Sequence, residues 1–539
     1  MRRVLRVLLT LVGLLLLAVG GAAAAYVGSD DTVFNQAADV GDDGRPVVTV
    51  PDLFAYDDLR LTVRASAPKG VFVGTANGVD IADYTKNAPY FELVGVSRTG
   101  VSGSDHEGKA KKLPTPPAFV DFWTAHASGA GTQTLSMKVD GTAPPRFVIV
   151  PVGGKGPTTV SFGATIDGLF LSTLAVAGAG LLLILLAVGW LLFSRWRRRR
   201  RARRVGPTMP APNIPKAPIY RRLAVPVVLS GLLVTSGCGT LPKHVDYAPP
   251  SKIALTAADL PALWKSLDQR FKAAAKKAGP KKYDSTQWSD AVSGPLLDAE
   301  LRNTMYDELT NAKKGEKAPH HKGLSVYSGQ FDAYPMWALV TMSIPLPPSE
   351  SASGKVGLAL VTRASSTSPW LWHSGLSVVH TTLPDPGEPA PVPADITKKA
   401  KGLAVSLMRY WRTEKKPKGV ALTDELEAPV KLAHSDEKKD YVGSARIKPA
   451  FYGGKDGMPR IVRVADGYLA VTDFTLTSTL KAEDGATIYW KPPYDQLNDT
   501  IGSATLTSKV AVSTVMLIPD NGFAIVLGTS IDNVLSYGG

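Results

Sequence analysis

The stretch from Leu169 to Phe193 runs for 25 residues without a charged side chain and ends against SRWRRRRRARR. No other feature constrains the chain as strongly. A run of that length matches the roughly 20 apolar residues that carry a helix across ~30 Å of hydrocarbon, and basic residues gather in short cytoplasmic segments beside such spans. Val7–Tyr26 is a second uncharged run, of 20 residues, preceded by Arg2, Arg3 and Arg6. Retained, it is an anchor; cut at the small residues Ala22–Ala25, it is a signal peptide. Both outcomes put Asp30 onward outside the cell membrane. Trp190 and Trp196 fall near the inner boundary, where amphipathic rings are favoured. Ala175, Gly178 and Ala179 are either a close-approach face for another helix or ordinary lipid-facing positions.

Charge follows the same plan. The net charge of +14 looks like a nucleic-acid signature until it is located. Ten arginines and Lys216 lie between Arg195 and Arg222 with no acid, and the three N-terminal arginines bring these cations to 14. Without them the 61 basic residues fall to 47, equal to the 47 acidic ones. The segment 195–222 also carries Pro207, Pro210, Pro212, Pro215 and Pro218, which favour an extended, solvated linker. Beside a span, such a segment is attracted to anionic headgroups by about 1 kcal/mol per charge. No folded basic domain supports nucleic-acid binding. The expected partners are therefore membrane lipids, through the spans and the Arg-rich linker, and an envelope protein or ligand of undetermined identity.

Residues 223–238, LAVPVVLSGLLVTSGC, form a third apolar segment that ends in Cys238, the only cysteine of the chain. The fifteen residues before the cysteine, Leu223–Gly237, at ~1.5 Å each span only about 22 Å, which is short for a membrane crossing and suits the apolar core of a signal sequence. With Ser236 and Gly237 before the cysteine and Gly239 after it, the segment resembles a bacterial lipoprotein lipobox, although Thr235 stands where that pattern prefers Leu. The resemblance implies cleavage before Cys238 and lipidation of its thiol. An uncleaved third span and separate initiation at Met209 remain open. All three accounts place Gly239 onward outside.

At 539 residues the chain calls for roughly three domains of ~150 residues. The expected order is a membrane or signal segment (1–29), an extracytoplasmic β domain (30–166), a transmembrane helix (167–194), the linker (195–222) and the lipobox-like segment (223–238). Two α+β domains follow, at 251–382 and 394–539. In 30–166, LRLTVRAS, GVFVGTA, TQTLSMKV, RFVIVPV and TTVSFGAT are short apolar runs separated by turn signals, and period-two alternation among them with Gly and Pro boundaries predicts an all-β sandwich-like domain. SGAGTQTLSMKVDG, with GVFVGTANGVDIADY upstream and the span after it, resembles actinobacterial two-span membrane proteins of unknown function. That resemblance covers about 200 residues and implies architecture, with no active site.

From 251, Thr256 and Asp259 can cap a helix whose Leu260, Leu263, Trp264, Leu267 and Phe271 share one face, with Gly279 and Pro280 ending it. A second helix is expected over Pro295–Asn311, then strands at GLSVYSGQF, MWALVTMSIPL, KVGLALVTRAS and WLWHSGLSVV. After the proline-rich LPDPGEPAPVP the order repeats. Ile396, Ala400, Leu403, Leu407 and Trp411 share a helix face, and strands follow, with PDNG at 519–522 as a hairpin turn. Helices before an antiparallel sheet make an α+β unit; each resembles a cystatin-like or nuclear-transport-factor-like cone. As a whole, 251–539 is similar to the C-terminal half of actinobacterial lipoproteins of unknown function. The chain is thus expected to be a multidomain membrane protein with two or three transmembrane helices.

Chemistry is sparse. His320 and His321 are adjacent and have no partner at metal-ligand spacing. His373 in WLWHSG reads as a half-buried strand residue. GGKG at 153–156 lacks the rest of a phosphate loop, and the acidic pairs Asp30–Asp31, Asp42–Asp43 and Asp57–Asp58 lack calcium-loop spacing. No catalytic residue, metal site or cofactor is assigned. A cone can enclose a pocket, and Tyr327, Trp337, Trp370 and Trp372 are candidates to line it, with core packing as the other reading. The leading functional expectation is a membrane-tethered binding or scaffolding protein of the cell envelope. The alternative is an envelope enzyme or small-ligand carrier.

Overall fold

The computed structural model describes residues 2–41, 43–56, 60–139, 145–153, 156–202, 246, 248–312, 324–343, 356–378, 383–435, 442–454, 457–490, 496 and 502–538. Cys238, most of the basic linker, the third apolar segment and His320–His321 lie outside them. The chain forms two compact units, Met1–Pro250 and Ser251–Gly539.

The first unit begins with helix α1 (Arg2–Val27) and strands β1 (Thr32–Phe34), β2 (Ala38–Val40), β3 (Val47–Thr49), β4 (Arg60–Ser66) and β5 (Val71–Ala76). Helix α2 (Gly78–Thr85) follows, then β6 (Tyr90–Ser97), β7 (Gly100–His106), β8 (Ala125–Gly129), β9 (Gln133–Lys138), β10 (Arg146–Pro151), β11 (Thr158–Thr165) and helix α3 (Leu169–Ala202). One sheet runs β1-β11-β4-β9 with β2 on β11, and the other runs β7-β6-β3-β10-β5-β8. Val63, Leu135, Val160 and Phe162 of the first meet Val47, Val73, Leu93, Phe147 and Ile149 of the second in one core.

All five expected strands are present, but the unit is mixed α/β. β3 and β6 pair in parallel, and α2 covers the outer face of the second sheet through Ile81 and Tyr84, packed on Val48 and Val148. Strand β10 is therefore buried on both faces, Phe147 and Ile149 inward and Val148 outward. That is why RFVIV is continuously apolar rather than alternating.

Helices α1 and α3 contain two segments long and apolar enough to cross a membrane, Val4–Val27 and Leu169–Arg197. They pack together through glycine. A Cβ on Gly180 would lie 2.5 Å from Leu17 N, and one on Gly20 would lie 2.5 Å from Ala177 N. Such backbone approach is how apolar helices gain dispersion contact where no hydrophobic driving force exists. The interface uses Ala177 and Gly180; Gly178 and Ala175 face outward, because 3.6 residues per turn brings only every third or fourth residue onto one face. Asp31 ties the helix ends together. Its carboxylate accepts from Gly168 N at 3.1 Å and Phe170 N at 2.5 Å, so it caps the positive end of α3.

The second unit comprises β12 (Lys252–Ile253), α4 (Leu260–Ala278), α5 (Gly294–Leu309), β13 (Val326–Ser328), β14 (Gln330–Phe331), β15 (Met336–Ser343), β16 (Val356–Arg363) and β17 (Leu371–Val378). Then come α6 (Ala394–Thr413), β18 (Val420–Ala421), α7 (Asp424–Ala433), β19 (Val442–Phe451), β20 (Arg460–Val464) and β21 (Gly467–Ala482). β22 (Ile488–Tyr489), β23 (Gly502–Ser503), β24 (Thr505–Pro519) and β25 (Ala524–Gly538) complete it. The faces foreseen for α4 and α6 are the buried ones. Thr256 and Asp259 form the reciprocal cap, and the 519–522 turn joins β24 to β25.

The expected halves at 251–382 and 394–539 share one ten-stranded sheet, with β13-β15-β16-β17 continuing into β25-β24-β21-β19. The seam is the bridge Val378↔Gly528. One face of the first four strands, Leu339, Leu360 and Leu376, packs on Val462, Leu469, Val471 and Val515 of the second half. Helix α4 covers the outside of the first half, and α6 and α7 cover the outside of the second. One apolar face of each half is thus covered by the other half.

Candidate functional site

The first unit holds an open cleft of about 750 Å³ between its two sheets, at the end from which α1 and α3 extend. Sequence order explains the position: β1 starts shortly after α1 ends, and β11 ends shortly before α3 begins. Phe34, Gly163 and Ala164 therefore come together beside Tyr26 in the last turn of α1. The floor is the core itself, through Phe54, Leu61 and Phe162. The other wall is the end of β6 and its turn, from Gly95 to Arg98.

Several contacts hold this shape. Gly163 permits it, since a Cβ there would lie 2.7 Å from both Phe34 Cε1 and Thr32 Cγ2. The Asn35 carboxamide oxygen accepts from Phe162 N at 2.8 Å while its Nδ2 donates to Gly100 O at 3.3 Å, linking the two sheets. Gln36 N donates to Arg98 O at 3.0 Å. The Arg98 guanidinium lies 5.9 Å from the Tyr26 ring centroid, and Arg98 is the one charged residue in the described lining. The result is an apolar floor with a rim carrying Tyr26, Ser97 and Arg98.

The four aromatics expected to line a pocket of the second unit do not converge. Tyr327 and Trp337 belong to the contact between the half-sheets, whereas Trp370 and Trp372 lie against the cluster beneath α4. Strand alternation sends them to opposite faces. Tyr327 is buried, donates to Pro384 O at 2.9 Å, and has its phenol pushed up to about 12 by burial and by the charge of Asp385. Trp372 stands edge-on to Trp264 with centroids 6.4 Å apart. Tyr327 is in the core, and Trp337, Trp370 and Trp372 are half-buried against these clusters.

A polar cluster that sequence reading missed lies between the two halves of the sheet. Leu360 and Val361 pair with Ser374 and Trp372, so His373 is the extra residue of a β-bulge, a device that re-aims a side chain. Its Nε2 lies 3.3 Å from Asp473 Oδ2 and its Nδ1 lies 3.2 Å from Ser293 Oγ. Arg460 Nη1 donates to the same Asp473 oxygen at 2.8 Å, and Ser513 Oγ donates to Oδ1 at 2.6 Å. Burial pushes the Asp473 carboxyl up, but the His373 hydrogen bond and charge, with Arg460 and Ser513, outweigh it and hold the group below its usual range. Ser293 precedes α5, and the loop before it lies along β17, with Ser293 N donating to Trp372 O at 2.8 Å. From α5, Asp298 accepts from the Tyr452 hydroxyl at 2.7 Å. The one available signal was His373 itself, a polar ring in an apolar strand that would need partners if buried.

Among the described residues no group of three or more His, Cys, Asp or Glu side chains is placed to hold a metal ion. Comparison with known protein families, curated proteins and solved structures found no match.

Proposed function

We propose that this chain is a membrane-tethered, extracytoplasmic binding protein of the bacterial cell envelope. The observation that carries the reading is the 750 Å³ cleft that opens beside Tyr26, at the end of the paired apolar helices. That volume lies within the range of about 300–1,000 Å³ usual for small-ligand sites. The N-terminal arginines and the arginines closing α3 support an arrangement with both helix ends inside and the β-rich unit outside. The second unit acts as the scaffold, held at the outer face by a third span or by a lipidated Cys238. A cystatin-like ancestry for each half-sheet fits its helix-then-sheet order.

The test places a single cysteine at exposed Ser104 in a Cys238→Ala chain and applies a membrane-impermeant maleimide to intact cells. Labelling without lysis is the expected result; labelling only after lysis would reverse the orientation and end the extracytoplasmic reading.

An enzyme reading draws on one observation, the Ser293–His373–Asp473 chain, whose order of hydroxyl, imidazole and carboxylate is that of a nucleophile with its base and orienting acid. Two features weigh against it. Arg460 shares the Asp473 oxygen and offsets its charge, and Ser293 Oγ is also within 3.2 Å of Thr362 Oγ1. A fluorophosphonate that labels the wild-type chain and not Ser293→Ala would favour the enzyme; an unlabelled chain keeps the cluster as a clasp.

A further inference from the structure

We infer that the cleft of the first unit takes up one acyl chain of an anionic lipid from the bilayer its helices cross, with the tail over Phe54, Leu61 and Phe162 and the headgroup against Arg98. This rests on the binding reading above and adds the class of ligand.

Three observations carry it. The floor is apolar and continuous with the domain core, so an occupant must be hydrocarbon where it touches Phe54, Leu61 and Phe162. The rim is polar, and among the described residues that line it Arg98 is the one charged group. A guanidinium favours planar anionic oxygens such as those of phosphate or carboxylate. Finally, Tyr26 belongs both to the rim and to the last turn of α1. About 20 residues cross the hydrocarbon, so Tyr26 sits at interface level, where Tyr is favoured. A lipid therefore reaches the mouth by moving along the interface, and its tail need not pass through water.

That route sets the size of the effect. A tail leaving the bilayer for the cleft exchanges one apolar surrounding for another, so the hydrophobic gain nearly cancels, as it does for helix association in lipid. Discrimination between lipids then falls to the headgroup contact at an exposed arginine, where one charge pair changes binding by roughly three- to five-fold.

The test uses the full chain in phosphatidylcholine nanodiscs doped with either of two probes, an alkyl phosphate or a neutral monoacylglycerol, each with the same long tail carrying a diazirine. After illumination, adducts are mapped by peptide mass spectrometry. Adducts in 53–56, 95–98 and 162–164 are expected from the alkyl phosphate, exceeding those from the neutral probe by roughly three- to five-fold. Arg98→Glu, an exposed change that leaves the core untouched, should bring the alkyl phosphate down to the neutral level. Val96→Trp, which fills the cleft, should remove both sets. Equal labelling by the two probes would overturn the anionic assignment and leave a binding cleft. Adducts confined to α1 and α3 would mean that no chain enters, and the binding reading would fall with the lipid.

Discussion

His373 Nε2 and Asp473 Oδ2 stand 3.3 Å apart across the contact between the two halves of one sheet, each side chain almost wholly buried. The carboxylate also receives Arg460 and Ser513, so its removal strands several donors at once. Taking one partner from a buried charged network costs about 3–5 kcal/mol. Asp473→Ala should therefore lower the unfolding midpoint of the second unit strongly in urea followed by tryptophan fluorescence. Ser513→Ala, which removes one hydroxyl donor, should cost about 1 kcal/mol. Equal midpoints for wild type and Asp473→Ala would mean that the cluster holds nothing together.

The same carboxyl sets an acid limit. Its folded pKa is depressed, so between the folded and unfolded values the unfolded chain binds more protons and stability rises with pH. The contribution is present above the unfolded value of about 3.9 and is lost as pH falls through the folded one. Melting curves taken downward from neutral pH should steepen their loss below about pH 4 in the wild type. Asp473→Asn should start lower and fall less. Parallel curves for the two chains would contradict this.

Tyr327 works in the opposite direction. Its phenol is pushed up to about 12 by burial and Asp385, above the usual value of about 10. An acid with a raised folded pKa gives stability that is present below about pH 10 and lost as pH rises through the folded value. Ultraviolet absorbance titration should find several buried phenols, Tyr84 and Tyr452 among them, that ionise only near the alkaline unfolding transition, and one fewer in Tyr327→Phe than in the wild type. That variant also loses the hydrogen bond to Pro384 O, at a cost of about 1 kcal/mol.

Gly294 joins the bulge loop to α5 with φ +57°, and a Cβ there would lie 2.1 Å from His373 Cε1. Gly294→Ala should cost about 2–4 kcal/mol, from the left-handed backbone and the displaced ring together. Gly485 has φ +81° and nothing within 4 Å, so Gly485→Ala should cost only about 1 kcal/mol. Calorimetry on the pair separates crowding from backbone strain.

The helix hairpin offers a matched pair of its own. Gly180→Leu would force α1 and α3 apart, because its Cβ position is 2.5 Å from Leu17 N. Gly178→Leu meets open space. Energy transfer between dyes on the two helices in detergent should fall for the first variant and stay unchanged for the second; a fall in both would misplace the interface.

The amino-acid order alone determined the features set by neighbours in sequence. Hydropathy over 25 residues marks an apolar helix at 169–193 long enough to cross a membrane, the 3.6-residue period marks the buried faces of α4 and α6, and PDNG marks the turn into β25. It also misled where a local rule met a local exception. α7 has Pro429 in its interior, which reads as a helix break, and α2 is only eight residues long. Tertiary structure decided the rest. Period-two alternation states which side of a strand is apolar and not what that side will face, so two expected units became one sheet folded on itself, and Tyr327 and Trp372 went to opposite faces. His373, Asp473 and Ser293 are 80 or more residues apart along the chain, and so are Tyr26 and Phe162. Nothing in their local sequence fixes such distances, because only the closure of the sheets brings those side chains together.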